Sequence, residues 1–273
     1  MAILSLKGVG KHFTSHGAVT TAVNDVTLDI EPGEFVAIVG PSGCGKSTLL
    51  NLIIGLARPS ERTILYKGKP SNGLNTALGY VTQQTNLFPW RTLRRNVELP
   101  LELRGLDPAA RRSRAEAIIA LAGLGGFEEH YPHELSGGMQ QRTNIIRTLI
   151  CQPEAVLMDE PFGQLDALTR SHLQGHLLQL WQTSRCTVLF ITHDLREAIV
   201  LADRVIVMTA RPGRIKSDTR VDIPRPRDAF RVHEHERFKP IYDRLWNEVV
   251  AEVSGTSPPY GKTAPASPGS VAH

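Results

Sequence analysis

Apolar positions along the chain follow two periods, and their alternation predicts the architecture. Short apolar runs bounded by turn residues read as strands at 2–10, 23–30, 34–39, 63–66, 78–82, 155–160, 186–192 and 204–208. In the second of these, Val26, Leu28 and Ile30 share one face at period two, the mark of a half-buried strand. Between the first two strands, residues 11–20 read as a polar loop opening on Lys11-His12-Phe13. Helical spacing follows at 48–54, 135–151, 170–181 and 194–202. From 92 to 122 the pattern is helical with Arg-rich faces, broken at 105–108, where Asp107 before Pro108 marks a fresh helix start.

Strands that alternate with helices predict an α/β fold whose mostly parallel core sheet is covered on both faces. An antiparallel β subdomain is expected from the N-terminal strands, and a helical subdomain inserted at about 91–135. The domain so built spans 1–225. One or two short strands are expected at 213–223, and a basic amphipathic helix at 230–253 around Phe238, Ile241, Leu245 and Val249, within a C-terminal extension of 226–253. The remainder, 254–273, is rich in Ser, Pro, Gly and Ala and is expected to be disordered. Internal repeats are absent.

Composition narrows the class only a little. With 273 residues, 41% hydrophobic and 21% charged, the chain can bury a proper core. A net charge of +4 suits a neighbour of anionic lipid or nucleotide but does not argue for nucleic acid. The three cysteines Cys44, Cys151 and Cys186 show no CxxC spacing and read as reduced thiols of a cytosolic protein. No signal peptide and no apolar stretch long enough to cross a bilayer is legible, so a membrane role would run through a partner.

Chemistry enters at Gly40-Pro41-Ser42-Gly43-Cys44-Gly45-Lys46-Ser47-Thr48, which fits G-x-x-x-x-G-K-[ST] between a strand and a helix. Its glycines let successive backbone N–H groups face phosphate oxygens, and the helix start behind them adds positive potential. Lys46 is expected to reach the β- and γ-phosphates of ATP, and the Ser47 hydroxyl to ligate Mg²⁺. Cys44 inside this loop is expected to have a lowered pKa and to be alkylation-sensitive, with ATP protecting it. Phe13 either caps the small core or offers the adenine a stacking platform.

Asp159-Glu160 ends an apolar strand. The pair either caps the next helix or works with the phosphate loop, Asp159 holding Mg²⁺ and Glu160 serving as general base on the attacking water. His193 follows another strand, where it could touch the γ-phosphate. Leu135-Ser136-Gly137-Gly138-Met139-Gln140-Gln141-Arg142 opens a helix and makes a second anion site. One ATP per chain would leave one of the two sites idle. A two-fold homodimer in which Ser136 closes on the partner's ATP resolves this. The loop Phe88-Pro89-Trp90 either folds back on the core or contacts another protein.

The ordered set 40–48, Gln83, 135–142, 156–160, 163–166 and His193 resembles the ATP-binding subunit of an ABC transporter, over nearly the whole chain to about residue 250. That resemblance implies a P-loop ABC ATPase fold and ATP hydrolysis coupled to transport. It assigns Gln83 to sensing Mg²⁺ and the transmembrane partner, Asp166 to the loop crossing the dimer interface, and Ser136, Gly137, Gly138 and Gln140 to the second chain's ATP. Asn86-Leu-Phe-Pro-Trp-Arg-Thr92, Pro161-Phe-Gly163 and Asp222-Ile-Pro-Arg-Pro-Arg227 are similar to importers of nitrate, taurine and alkanesulfonates. A permease partner, indirectly a solute-binding protein, and a peripheral place on the cytoplasmic face of the inner membrane follow as expectations. Gln164, Thr143-Asn144 and Phe13 depart from the usual pattern. An exporter ATPase or a soluble ATPase of translation or DNA repair is the alternative, though the chain has one cassette and no heptads. A small-molecule kinase would leave the 135–142 motif without a role.

Overall fold

Alternating apolar strands and helices can satisfy their backbones and hide their side chains by layering helices on both faces of a parallel sheet, and the computed structural model of the chain does so. It describes residues 1–15, 18–163 and 165–254. The chain opens with β1 (Leu4–Ser15), β2 (Ala18–Ile30), β3 (Phe35–Val39), α1 (Lys46–Ile54), β4 (Ile64–Tyr66) and β5 (Lys69–Pro70). Next come β6 (Leu78–Val81), α2 (Leu93–Leu103), α3 (Pro108–Leu121), α4 (Gly137–Leu149), β7 (Ala155–Asp159) and α5 (Ala167–Ser184). It closes with β8 (Thr187–Ile191), α6 (Leu195–Leu201), β9 (Arg204–Met208), β10 (Ile215–Arg220) and α7 (Phe238–Ser254).

The core sheet has the order β10-β9-β3-β8-β7-β6, parallel throughout except for β10 at its edge. A second, antiparallel sheet runs β2-β1-β4-β5. Period-two alternation in β3 divides two cores. Phe35, Ala37 and Val39 pack with α5, α6 and α7, whereas Val36 and Ile38 pack with α1 and the β1–β2 hairpin. A third core gathers Leu93, Val97, Leu101, Ile119 and Ile146 between α2, α3 and α4. Asp107 starts α3 as expected, its carboxylate accepting from the N–H groups of Ala109 and Ala110.

Three expectations need correction. Residues 11–15 and 18–20 are strand, not loop: Thr14, Val19, Thr20 and Thr21 favour extended backbone, and Phe13 pairs with Thr20 in register. The C-terminal helix starts at Phe238, because Pro240 suits only a first turn and Asp228 draws the Phe230 N–H into a turn upstream. The α5 helix is longer than its apolar spacing suggested, running from a cap at Asp166 to Arg185, which ends it in a left-handed conformation (φ 51°). The expected disorder of 254–273 and the departure at Gln164 lie outside the described residues, Ser254 excepted.

Candidate active site

Sheet register sets the site. Ile38 of β3, Ile191 of β8 and Asp159 of β7 lie in one row, so the residues just past each strand emerge side by side. The Glu160 N–H donates to the Ile191 carbonyl at 3.0 Å, and the Thr192 N–H to that of Ile38 at 3.2 Å. These carboxyl ends of parallel strands are where α/β sheets bind ligands.

The 40–48 loop leaves β3 through Gly40 and enters α1 through Gly45. Gly45 has φ 111°, and a Cβ there would lie 2.6 Å from the Ala22 carbonyl oxygen, so no other residue fits. Lys46 is buried, its ammonium donating to the carbonyls of Gly40 (2.9 Å) and Pro41 (3.0 Å). Those bonds hold the cation over the loop where phosphate oxygens would replace the carbonyls. Ser42 and Gly43 are exposed, and Thr48 lies half-buried in the first turn of α1.

Ser47, in the first turn of α1, donates to Asp159 Oδ1 at 3.1 Å. Burial pushes the Asp159 carboxyl above the usual carboxylate range and the Glu160 charge adds to this; the Ser47 bond and the Lys46 charge oppose it. A hydroxyl and a carboxylate with surplus negative charge beside it fit a hard divalent cation. Among the described residues no group of three or more His, Cys, Asp or Glu side chains could hold a metal alone. Phosphate oxygens would have to complete the shell, as Mg²⁺ prefers.

Glu160 is held with φ 43°, a left-handed conformation costing about 1–3 kcal/mol for a non-glycine residue. The Gly163 N–H donates to its carbonyl (3.1 Å), and its carboxylate lies 3.1 Å from His193 Nδ1. Beneath His193, buried Glu197 accepts from the Thr192 hydroxyl at 2.5 Å, and Arg170 bridges Asp194 (3.1 Å) and Glu197 (3.5 Å).

Ser136 and Gly137 lie exposed at the start of α4, where the Ser136 hydroxyl accepts from the Met139 N–H. Asp166 caps α5 in the same manner, accepting from the Thr169 N–H at 3.0 Å. The two helix starts meet at Gly138, where a Cβ would lie only 2.7 Å from Thr169 Cγ2. Among the described residues no hydrogen bond joins Ser136, Gly137 or Asp166 to the 40–48 loop of the same chain. Gln140 faces its own chain, donating to the carbonyls of Pro132 and Leu135. Gln83 is exposed just beyond β6.

Phe13 is half-exposed on β1 beneath the Lys11 ammonium, and caps no core. Trp90 is 69% exposed and stacks edge-on against Phe88, so the indole does not fold back on the core. Asn96 clasps it, accepting from the Phe88 N–H (2.8 Å) and donating to the carbonyls of Phe88, Arg91 and Thr92. Cys44 overturns its expectation. It is 1% exposed, and burial raises its pKa more than Lys46 lowers it.

Sequence reasoning missed two contributors. Arg211 donates to the Gly43 carbonyl at 3.1 Å, bracing the phosphate loop from the turn after β9. Tyr80 faces Asp159, and burial first, then the Asp159 charge, push its phenol up to about 12. A Pro-Gly turn signal marks 212–213 without saying what the turn touches, and Tyr80 reads as an ordinary strand residue.

A sequence-family profile described as "ABC transporter" matches residues 23–163. An uncharacterised ABC transporter ATP-binding protein of Methanocaldococcus jannaschii is 47% identical, over 90% of this chain and 92% of that protein. The aliphatic sulfonates import ATP-binding protein SsuB of Bacillus licheniformis is 40% identical, over 93% and 95%. The nitrate import ATP-binding protein NrtD of Synechocystis is 43% identical, over 81% and 83%. A solved dimeric ATP-binding cassette, bound to ADP and phosphate after hydrolysis, is 34% identical with a TM-score of 0.72, covering 81% of this chain and all of that one.

Proposed function

The chain belongs to the ABC transporter family as an ATP-binding, ATP-hydrolysing subunit, and from that premise we propose that it drives an importer of small oxyanions such as nitrate, taurine or alkanesulfonates. The observation that carries the mechanism is the split between two half-sites. The 40–48 loop, Asp159, Glu160 and His193 gather at the carboxyl ends of β3, β7 and β8, whereas Ser136, Gly137 and Asp166 stand exposed at two helix starts. A second copy supplies what each half lacks. Ser136 to Gly138 of one chain then face the ATP held by the other, and Asp166 crosses the interface. The dimeric cassette resembling this chain supports that arrangement.

In the closed dimer Lys46 exchanges its carbonyl partners for β- and γ-phosphate oxygens. Phe13 stacks on the adenine. Glu160 takes a proton from water as the oxygen attacks the γ-phosphorus, and the bond to the ADP oxygen breaks. His193, positioned by its contact with Glu160, and Lys46 stabilise the transferring phosphoryl group. Mg²⁺, when bound, would neutralise phosphate charge; Ser47 and Asp159 would hold it, and Gln83 would sense it.

The helical subdomain, about 91–135, and the Trp90 loop would carry closure to a membrane-spanning permease, with a solute-binding protein upstream of it. The core domain spans 1–225 and the extension 226–253 in this reading. No helix among the described residues is long and apolar enough to cross a membrane, and the subunit would sit peripherally on the cytoplasmic face of the inner membrane. Light scattering on Glu160→Gln tests the shared site: a monomer without ATP and a dimer with it supports the mechanism, and a monomer at saturating ATP rejects it. Uptake of labelled sulfonate or nitrate by cells with and without the gene tests the cargo.

A further inference from the structure

Helix α4 does more than present Ser136. Its second half carries Asn144, which is 1% exposed, and Arg147, which is half-buried. Asn144 Nδ2 donates to the Thr82 carbonyl at 3.4 Å, and Asn144 Oδ1 accepts from Arg147 Nη2 at 2.8 Å. Arg147 then donates through Nη2 to the Thr85 carbonyl (3.0 Å) and through Nη1 to that of Asn86 (2.9 Å). Thr82 lies immediately before Gln83, and Thr85 and Asn86 lie just after Gln84. The loop is also tied to itself: the Thr82 hydroxyl donates to the Gln84 carbonyl at 2.6 Å and accepts from Asn86 Nδ2 at 3.0 Å. Gln83 is therefore the exposed crest of a segment fastened on both flanks to one helix, with its own side chain turned to solvent.

We propose that Asn144 and Arg147 are positioning residues that hold the Gln83 segment in register with helix α4. The proposal rests on the reading of Gln83 as a group acting at the nucleotide. A guanidinium has a rigid fork, so its two carbonyl bonds fix direction as well as distance. The Nη2 bonds to the Thr85 carbonyl and Asn144 are part-buried, and a charge-assisted bond shielded from water in part is stronger than a fully exposed one. Because α4 also begins at Ser136, the same rigid element links the crest at Gln83 to the motif that would meet the partner's ATP. The polar residue at 144, where the sequence already departed from a small apolar side chain, gains a specific task from this geometry.

The test is a double-mutant cycle on steady-state ATP hydrolysis by the full chain, with thermal unfolding measured on each variant. Asn144→Ala and Arg147→Lys are expected to lower kcat about tenfold, since small misplacement of a reacting group has effects of this order or larger. KM for ATP should move less than twofold, because the 40–48 loop is untouched. Joined to Gln83→Ala, each should cost nothing further, since both act through the same side chain. Unchanged kcat in both single variants, or factors that multiply with that of Gln83→Ala, overturns the proposal. If Gln83→Ala alone hydrolyses normally, the reading of Gln83 fails, and slowing by Asn144→Ala then cannot run through it. Should Asn144→Ala not fold, the Arg147→Lys cycle decides by the same criteria.

Discussion

The Glu160 carboxylate sits 3.1 Å from His193 Nδ1, across two parallel strands whose register places Asp159 opposite Ile191. Neither side chain reaches the other by chance of a flexible loop. Glu160 is pinned through its own N–H and carbonyl, and His193 lies between Thr192 and Asp194, whose side chains are both bonded. Removing either member should therefore disable the same step. Glu160→Gln and His193→Ala are each expected to lower kcat by about 10²–10³-fold, within the usual scale of general base and charge stabilisation. The double variant should be little worse than the poorer single one, because groups that act as a unit do not add. Effects that multiply in full would mean that the two work independently.

Glu197 supplies a pH dependence of stability. Its carboxyl is 4% exposed, and burial pushes its pKa from 4.5 up to about 7; the Thr192 bond, Arg170 and His193 oppose this, and Asp194 adds to it. A carboxyl whose native pKa is raised holds its proton longer in the folded state. Folding therefore loses stability as pH climbs from about 4.5 to about 7, by at most about 3 kcal/mol. Glu197→Gln is always neutral and should escape this loss. Its melting temperature relative to the parent chain should climb from pH 5 to pH 8 in thermal scans. A difference that stays flat with pH would place the ionised form comfortably in its pocket with Arg170.

Much of this site is legible in the sequence. The phosphate loop, the paired carboxylates and His193 lie at the ends of apolar strands, and a parallel sheet brings such ends together by its nature. The β9 strand matches its sequence reading to the residue, because Arg204 and a following turn bound a purely apolar run. What stayed hidden depended on tertiary contact. Arg211 under Gly43, Asn144 on Thr82 and Arg170 on Glu197 are bonds between residues far apart in sequence, and no local pattern announces them. Cys44 failed for a quantitative reason: the loop's positive potential was foreseen, while the burial that outweighs it was not.

Gly138 tests how the two exposed helix starts are joined. An added Cβ would stand 2.7 Å from Thr169 Cγ2, and a β-branched side chain has little freedom to move aside. Gly138→Ala gains about 1 kcal/mol in helix propensity but should lose more to overpacking, which costs about 1–3 kcal/mol. Chemical denaturation should show a net loss, and Thr169→Ser in the same chain, lacking that methyl, should restore it. A loss that Thr169→Ser leaves untouched would locate the strain elsewhere.

Cys44 should resist alkylation in the native protein near neutral pH, since it is buried and its thiol is harder to ionise than usual. Cys151 is partly exposed and should react first, although burial raises its pKa too. Mass spectrometry after brief labelling, with all three thiols modified in denaturant as reference, reads the order directly. Rapid labelling of Cys44 that ATP suppresses would show the loop to be far more open in solution.

Trp90 and Asn96 separate a docking surface from the fold that presents it. Trp90 is mostly exposed and its removal should change stability by no more than about 0.5 kcal/mol. Asn96 is fully buried and makes four bonds to the backbone at 88, 91 and 92, so Asn96→Ala leaves buried groups unpaired and should cost at least about 1–3 kcal/mol. If the loop meets a permease, Trp90→Ala should keep ATP hydrolysis by the isolated chain within twofold of the parent while solute uptake in cells falls severalfold. Asn96→Ala should lower both stability and uptake. Full uptake with Trp90→Ala would exclude the indole from the contact and leave Phe88, held by the same Asn96 clasp, as the side chain to examine.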